Sequence, residues 1–159
     1  MRTTYKVPRL RIALVREEPL AEVAPMLRAS TDVAKTFAFL RDRDREEFWC
    51  VPLDGKNRPL GLNRVSIGTL TASLVHPREV LKPLILTSAA AAVVVHNHPS
   101  SDPTPSREDS AITTRLYEVL SLVGIVLLDH VIIGDAGRYF SFADETTLLA
   151  PSQRWAASS

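Results

Sequence analysis

Two histidines, His96 and His98, stand two residues apart at the end of the apolar run Ala91 to Val95, and Asp109 follows thirteen residues after His96. Side chains of a strand alternate between faces, so His96 and His98 leave the same face and can reach one metal ion. The segment between them and Asp109 carries Pro99, Pro103 and Pro105, which stiffen the return path at lower entropic cost than a flexible loop. Two imidazoles and a carboxylate are three protein ligands, leaving the fourth position of a tetrahedral ion to water, the open arrangement of catalytic zinc sites. Zinc held there would lower the pKa of that water towards about 7. A two-histidine, one-carboxylate set is formally open to iron as well. Ser106 has two readings. Ser106-Arg107-Glu108-Asp109 has the form of a capping box, with Ser106 capping a helix and the acid at N3 reaching back, and a catalytic role fits the same spacing. The two are partly compatible, since the first turn of a helix also holds a ligand carboxylate firmly.

These residues need a frame. The continuous, β-branched run Ala91 to Val95 predicts a strand covered on both faces. A helix is predicted from Arg107 to Leu122, with apolar positions Ile112, Leu116, Val119 and Leu120, and a second buried strand from Ile125 to Ile133. Upstream, Phe48 to Leu53 is a strand closed by the turn Asp54-Gly55-Lys56-Asn57. Further extended pieces are expected over Pro59 to Ile67 and Thr69 to Val75. Pro77 opens a helix whose buried face is Val80, Leu81, Leu84 and Ile85, with Pro83 inside it. A last strand spans Tyr139 to Phe142. Before the first strand, Pro19 opens a short helical stretch through Leu20, Val23 and Leu27, broken by Pro25. Ser30, Thr31 and Asp32 offer capping oxygens for a helix carrying Val33, Phe37 and Leu40. The first 18 residues read as an edge strand or a loose arm, and the tail from Pro151 as frayed. Strands and helices alternate, so the class is α/β (α+β), a mixed sheet flanked by helices.

Other chemically able residues have plainer explanations. His76, before Pro77, suits a helix cap, and Trp49 and Cys50 suit core packing. Asp129 and His130 end an apolar strand and suggest a hydrogen-bonded pair, either structural or supporting a ligand. The charged run Arg41 to Glu47 is balanced in sign, as a solvated helix end would be.

Composition narrows the function classes. The chain has 159 residues, 45% of them hydrophobic, which suits one domain with a real core. Nineteen basic side chains against 18 acidic ones leave no excess charge to support non-specific nucleic-acid binding. The lone Cys50 removes the disulfide-stapled secreted class. The longest apolar stretch, Val119 to Leu128, is ten residues, against the roughly 20 that a bilayer requires. With no apolar segment near the N-terminus to act as a signal peptide, a soluble protein of a reduced, cytoplasmic compartment is expected, with no membrane partner.

The order His-x-His, seven residues, then Ser-x-x-Asp resembles the JAMM, or MPN, metalloprotease signature, filled by His96, His98, Ser106 and Asp109. The longer text resembles the bacterial RadC-like proteins. The matching pieces are Arg45-Glu46-Glu47-Phe48, Leu53-Asp54, Gly68-Thr69, His76-Pro77-Arg78-Glu79, His96-Asn97-His98-Pro99-Ser100, Pro105-Ser106 and Leu128-Asp129-His130. They run from about Thr31 to Ala143. The resemblance implies a cytidine-deaminase-like JAMM/MPN fold over residues 31–145, between an N-terminal extension (1–30) and a C-terminal tail (146–159). It implies one zinc ion on His96, His98 and Asp109. It also implies an upstream glutamate as general base, and position relative to Phe48 and Leu53-Asp54 selects Glu46, with Glu47 as the competitor on the opposite face. Ser106 would hydrogen-bond the developing oxyanion.

The activity so implied is a zinc-dependent metallohydrolase, a metallopeptidase or isopeptidase acting on a peptide or protein substrate. The alternatives are metal-dependent, repair-associated DNA processing and a non-catalytic MPN scaffold. His96-Asn97-His98 is not an HNH nuclease motif, whose residues come from separated points of a ββα hairpin. Specificity is expected in the loops Asn57 to Ser66 and Ser100 to Pro105. Homo-oligomeric state is not legible beyond an edge strand open to pairing with a second copy. The chain departs from the RadC pattern at Ser101, where glycine is usual, and its first thirty residues are too short for the helix-hairpin-helix region of full-length RadC proteins.

Overall fold

Seven consecutive buried residues, Ala91–Asn97, form β3, and a run without alternating polarity is stable only where both faces are covered. In this computed structural model, which describes residues 4–68, 75–149 and Trp155, β3 is the middle strand of a five-stranded sheet. β1 (Glu47–Leu53) pairs antiparallel with β3, and β2 (Asn63–Ile67) with β1. On the other side β4 (Val126–Ile133) runs parallel to β3, and the short β5 (Tyr139–Ser141) runs antiparallel to β4. The order is β2-β1-β3-β4-β5. The expected mixed sheet with flanking helices is therefore what the chain forms.

Alternation along β1 and β3 assigns two faces. Phe48, Cys50, Ala92 and Val94 pack against Val80 and Leu84 of α2 (Pro77–Leu86) and Leu116 and Leu120 of α3 (Arg107–Leu122). Trp49, Val51, Leu53, Val93 and Val95 face the other way, onto Leu27 and onto Val33, Phe37 and Leu40. The latter come from α1 (Ser30–Thr36) and the 3₁₀ turn Ala38–Asp42 behind it. The helix expected to carry Val33, Phe37 and Leu40 is thus broken after Thr36, and its N-cap is Ala29, not Ser30 to Asp32. Asp32 instead accepts from the backbone N–H of Arg28 at 2.8 Å.

Both long helices begin and end on local chemistry. His76 caps α2, its Nδ1 accepting from Arg78 N at 3.4 Å, and Pro77 takes the first turn, where a missing N–H costs nothing. Ser106 caps α3 in a complete capping box with Asp109. α3 stops in a Schellman motif: Ile125 N donates to Leu120 O, Gly124 N donates to Ser121 O, and Gly124 has φ +75°. The turn after β1 is built by Asp54, whose carboxylate accepts from Lys56 N and Arg58 N at 2.8 and 3.0 Å.

Several expectations fail for identifiable reasons. Pro19 to Leu27 is not helical, because Pro19 and Pro25 leave too short a span between them to nucleate a helix. Of the two readings of the first 18 residues, the loose arm is what residues 4–18 form, exposed and outside any strand. Pro59 makes only an isolated bridge to Leu53, so β2 starts at Asn63. Ile85 is 60% exposed, since the helix turns it away from the sheet while Leu84 faces inward. The last strand ends at Ser141, which caps the short α4 (Phe142–Glu145). Glu47 is buried, its carboxylate accepting from Trp49 Nε1 at 3.0 Å, so the charged run is not wholly solvated. The extended piece expected over Thr69 to Val75 and the tail from Pro151 lie, except for Val75 and Trp155, outside the described residues.

Two loop features reach the site. Ser101 has φ +65°, a conformation that favours glycine. It is held there by its N–H to His98 O at 2.9 Å and by its carbonyl, which accepts from Asp135 N at 3.1 Å. Gly134 seats this loop, since a Cβ there would lie 2.8 Å from Pro103 Cδ and 2.9 Å from Ser101 O. At the other end of β4, the buried Asp129 ties the sheet to the β5–α4 corner. Its carboxylate accepts from Ser141 Oγ at 2.6 Å, His130 N at 2.7 Å and Ala143 N at 3.0 Å. Burial outweighs those donors and pushes its pKa up to about 6.

Two outcomes follow. Ser101→Gly should stabilise the protein by about 0.5–1 kcal/mol in chemical denaturation, relief of the left-handed backbone exceeding the added freedom of the unfolded chain; unchanged or lower stability contradicts the strain. Between pH 4 and 6 the unfolded Asp129 is ionised while the folded one keeps its proton, so its contribution to stability falls as pH rises. Relative to Asp129→Asn, the wild type should lose about 2 kcal/mol across that window, and a pH-independent difference between the two would contradict the raised pKa.

Candidate metal centre

β3 delivers His96 as its penultimate residue, and His98 follows just past the strand end. Both side chains lie on the face covered by α3, as their two-residue spacing requires. α3 starts after the proline-containing loop and presents Asp109 from its first turn. Ligand atoms of Glu46, His96, His98 and Asp109 lie within 4.8 Å of one another.

Three of these are tightly grouped. His96 Nε2 is 3.0 Å from His98 Nε2 and 3.1 Å from Asp109 Oδ1, and His98 Nε2 is 3.2 Å from Asp109 Oδ2. Ligands about 2.0–2.1 Å from a tetrahedral zinc are separated by about 3.3 Å, so the spacing fits one small cation. The donor set fits too. Two imidazole nitrogens facing each other at 3.0 Å need a proton or a cation between them, and the carboxylate brings the negative charge. Glu46 stands further off, with Oε1 3.7 Å from His96 Nε2, and is the more exposed, at 26% against 1% for His96.

The two oxygens of Asp109 have separate work. Oδ2 accepts from Ser106 N and Ser106 Oγ, both at 2.7 Å, while Asp109 N donates back to Ser106 Oγ at 3.0 Å. Oδ1 has no part in the cap and faces His96. The capping reading of Ser106 is therefore what the chain forms, with its hydroxyl proton committed to Asp109. Burial alone would raise the Asp109 pKa, but the imidazoles of His96 and His98 beside it and the Ser106 N–H hold it well below the usual carboxylate range. The Asp109 hydrogen bond in turn raises that of His98.

The rings are fixed from behind. His98 Nδ1 donates to the carbonyl of Asp102 at 2.7 Å, which leaves Nε2 towards the site. His96 Nδ1 lies 2.8 Å from His130 Nε2, and His130 Nδ1 lies 2.6 Å from Thr113 Oγ1. His130 is fully buried, and desolvation holds its pKa well below the usual histidine value. Phe48 stacks on His96 with ring centroids 5.7 Å apart, and Phe142 on His130 at 5.0 Å. Of the pair Asp129 and His130, only His130 reaches the cluster, through His96; Asp129 is structural.

Glu46 precedes β1 by one residue, and its main chain is clamped. Asn97 Nδ2 donates to Arg45 O at 2.9 Å, and Asn97 Oδ1 accepts from Glu47 N at 2.9 Å. Gly68 N also donates to Glu46 O, at 2.7 Å. Glu47 lies on the other face, against Trp49 and within 3.6 and 3.9 Å of Arg43 and Arg64. Sequence reasoning missed Asn97 and Thr113. The available signal for Thr113 was the stripe Asp109, Thr113, Leu116, Leu120, which α3 buries as one face with two polar members. Among the described residues no helix is long and apolar enough to cross a membrane.

Comparison with known proteins covers the same region. The family model described as RadC-like JAB domain matches residues 27–147. A UPF0758 protein of Syntrophotalea carbinolica is 57% identical over 109 residues, which are 69% of this chain and 48% of the relative. One from Trichlorobacter lovleyi is 52% identical over 122 residues, 74% of this chain and 53% of that one. One from Methanosarcina acetivorans is 54% identical over 106 residues, 67% and 46% of the respective chains. The chain spans about half the length of the curated relatives it matches. The matched span holds the whole sheet and all four converging side chains, and the chain belongs to the RadC-like JAB domain family, with the JAMM/MPN type of metal-binding fold.

Proposed function

We propose that this domain is a zinc-dependent hydrolase of peptide or isopeptide bonds. The observation that carries the reading is the asymmetry of the cluster: three side chains whose ligand atoms approach one another to 3.0–3.2 Å, and a fourth, the Glu46 carboxylate, set back on the exposed side. A closed structural site would bring all four donors equally near; a catalytic one keeps a position open and a base beside it. His96, His98 and Asp109 Oδ1 hold the ion. Zinc supplies Lewis acidity at the substrate oxygen and makes water acidic enough to ionise near neutral pH.

The chain's own residues do the rest. Glu46 accepts a proton from the attacking water and delivers it to the leaving amine, a general-base then general-acid role worth roughly 10²–10⁴ in rate. The Asn97 clamp sets the register that turns Glu46, rather than Glu47, towards His96. Ser106 holds Asp109, and its hydroxyl serves an oxyanion only by turning away from Oδ2, which the Ser106 N–H continues to hold. The substrate is a peptide or protein segment able to present one carbonyl to this point.

Cleavage of a mixed peptide and isopeptide library, read by mass spectrometry beside zinc content, tests the roles. Glu46→Gln should retain zinc and lose about a hundredfold or more in cleavage. Glu47→Gln should keep zinc and cleavage, losing up to about 1 kcal/mol of stability with its half-exposed arginine partners. Full activity in Glu46→Gln, or the losses falling on Glu47→Gln instead, would overturn the assignment.

A further inference from the structure

We infer that His130 and Thr113 are positioning residues for the metal centre, forming a proton-ordered chain that keeps the lone pair of His96 Nε2 pointed at the ion. The inference rests on the metal-site reading above and adds residues that the ligand set does not contain.

The direction of the chain is fixed from its far end. Thr113 Oγ1 lies 2.6 Å from the main-chain carbonyl of Asp109, four residues earlier on α3. A carbonyl has no proton to give, so the threonine hydroxyl donates to it. Its proton used, Thr113 Oγ1 meets His130 Nδ1 at 2.6 Å as an acceptor, and His130 carries its hydrogen on Nδ1. An uncharged imidazole has one N–H, so His130 Nε2 is bare. His96 Nδ1, 2.8 Å away, therefore donates to it, and His96 Nε2 is left bare, facing His98 Nε2 and Asp109 Oδ1, so that without metal the proton their 3.0 Å contact needs belongs to His98. The reverse polarity would leave a hydroxyl oxygen and a carbonyl oxygen 2.6 Å apart with no proton between them.

The surroundings support this order. His130 and Thr113 are both fully buried. The flanking groups are Phe48, edge-on to His130, and Phe142, stacked on it, so no water is needed to complete the bonding. The chain also links two ligands from different elements. It leaves His96 on β3, crosses β4 at His130 and ends on the main chain of Asp109 in α3. One turn of helix after the carboxylate ligand thus governs which nitrogen of a distant histidine is free. Partners of this kind typically change metal affinity 10–100-fold when removed.

The test is the imidazole ¹⁵N spectrum of the metal-free full chain, together with zinc affinity by chelator competition, on the wild type, Thr113→Val and Thr113→Ser. His96 should be the Nδ1–H tautomer in the wild type and in Thr113→Ser. Thr113→Val, which keeps the shape but removes the hydroxyl, should show the Nε2–H tautomer and bind zinc 10–100-fold more weakly, with serine restoring both. A merely structural threonine would lower the melting temperature of Thr113→Val without moving the His96 ring signals. Equal zinc affinity and the same tautomer in valine and serine variants would overturn the inference. So would a wild-type His96 protonated on Nε2, a result readable even if Thr113→Val does not fold. If the wild type binds no zinc, the metal reading falls, and the His96 tautomer still decides the proton chain separately.

Discussion

A carboxylate that must face two histidines has to be held by something other than those histidines, and here the first turn of α3 does it. Asp109 commits one oxygen to the capping box with Ser106, where it also meets His98, and turns the other, outside the cap, to His96. That division turns a helix start, which many sequences can make, into a rigid ligand mount. It also explains the low pKa of Asp109, since two donors from Ser106 and the neighbouring imidazoles favour the ionised form against the cost of burial. Everything else at the site is arranged around this fixed point: the strand end brings the imidazoles to it, and the loop between them is pinned by Gly134 and by the strained Ser101.

The sheet contributes through its period of two. On β1 and β3, one face packs against α1 while the other carries chemistry at its end and core below. Glu46 and Glu47 differ by a single position, yet one faces the His96, His98 and Asp109 cluster and the other is buried against Trp49. Asn97, between the two histidines, points away from them and ties down the main chain on both sides of Glu46. Its neighbours belong to the candidate metal cluster, and it fixes the backbone beside Glu46. A one-residue slip in the β1–β3 pairing would exchange both roles at once.

Legibility followed periodicity and spacing. α3, β3 and β4 stand out because their buried stripes are long and their ends carry unambiguous caps or breaks, and His96, His98 and Asp109 were visible because they cluster in sequence. Glu46 was different. Surrounded by charges between Arg41 and Glu47, it became a candidate only through its likeness to a known pattern. Thr113 was less visible still, since it lies 17 residues from His130 and the two meet only when α3 packs on β4. The failed helix over Pro19 to Leu27 shows the opposite error, apolar spacing read without enough weight on two prolines. Ile85 shows that an apolar residue on an amphipathic helix can sit just beyond the buried arc.

The division of labour within Asp109 is the point on which the metal site depends. Asp109→Asn leaves an amide oxygen to serve the cap and puts an NH₂ group where Oδ1 faced the histidines. Elemental mass spectrometry of untagged wild type and Asp109→Asn, each checked for folding by thermal melt, measures this directly. One zinc per wild-type chain and none in a folded Asp109→Asn is the predicted result. No zinc in the wild type, or a full complement in the variant, would contradict it.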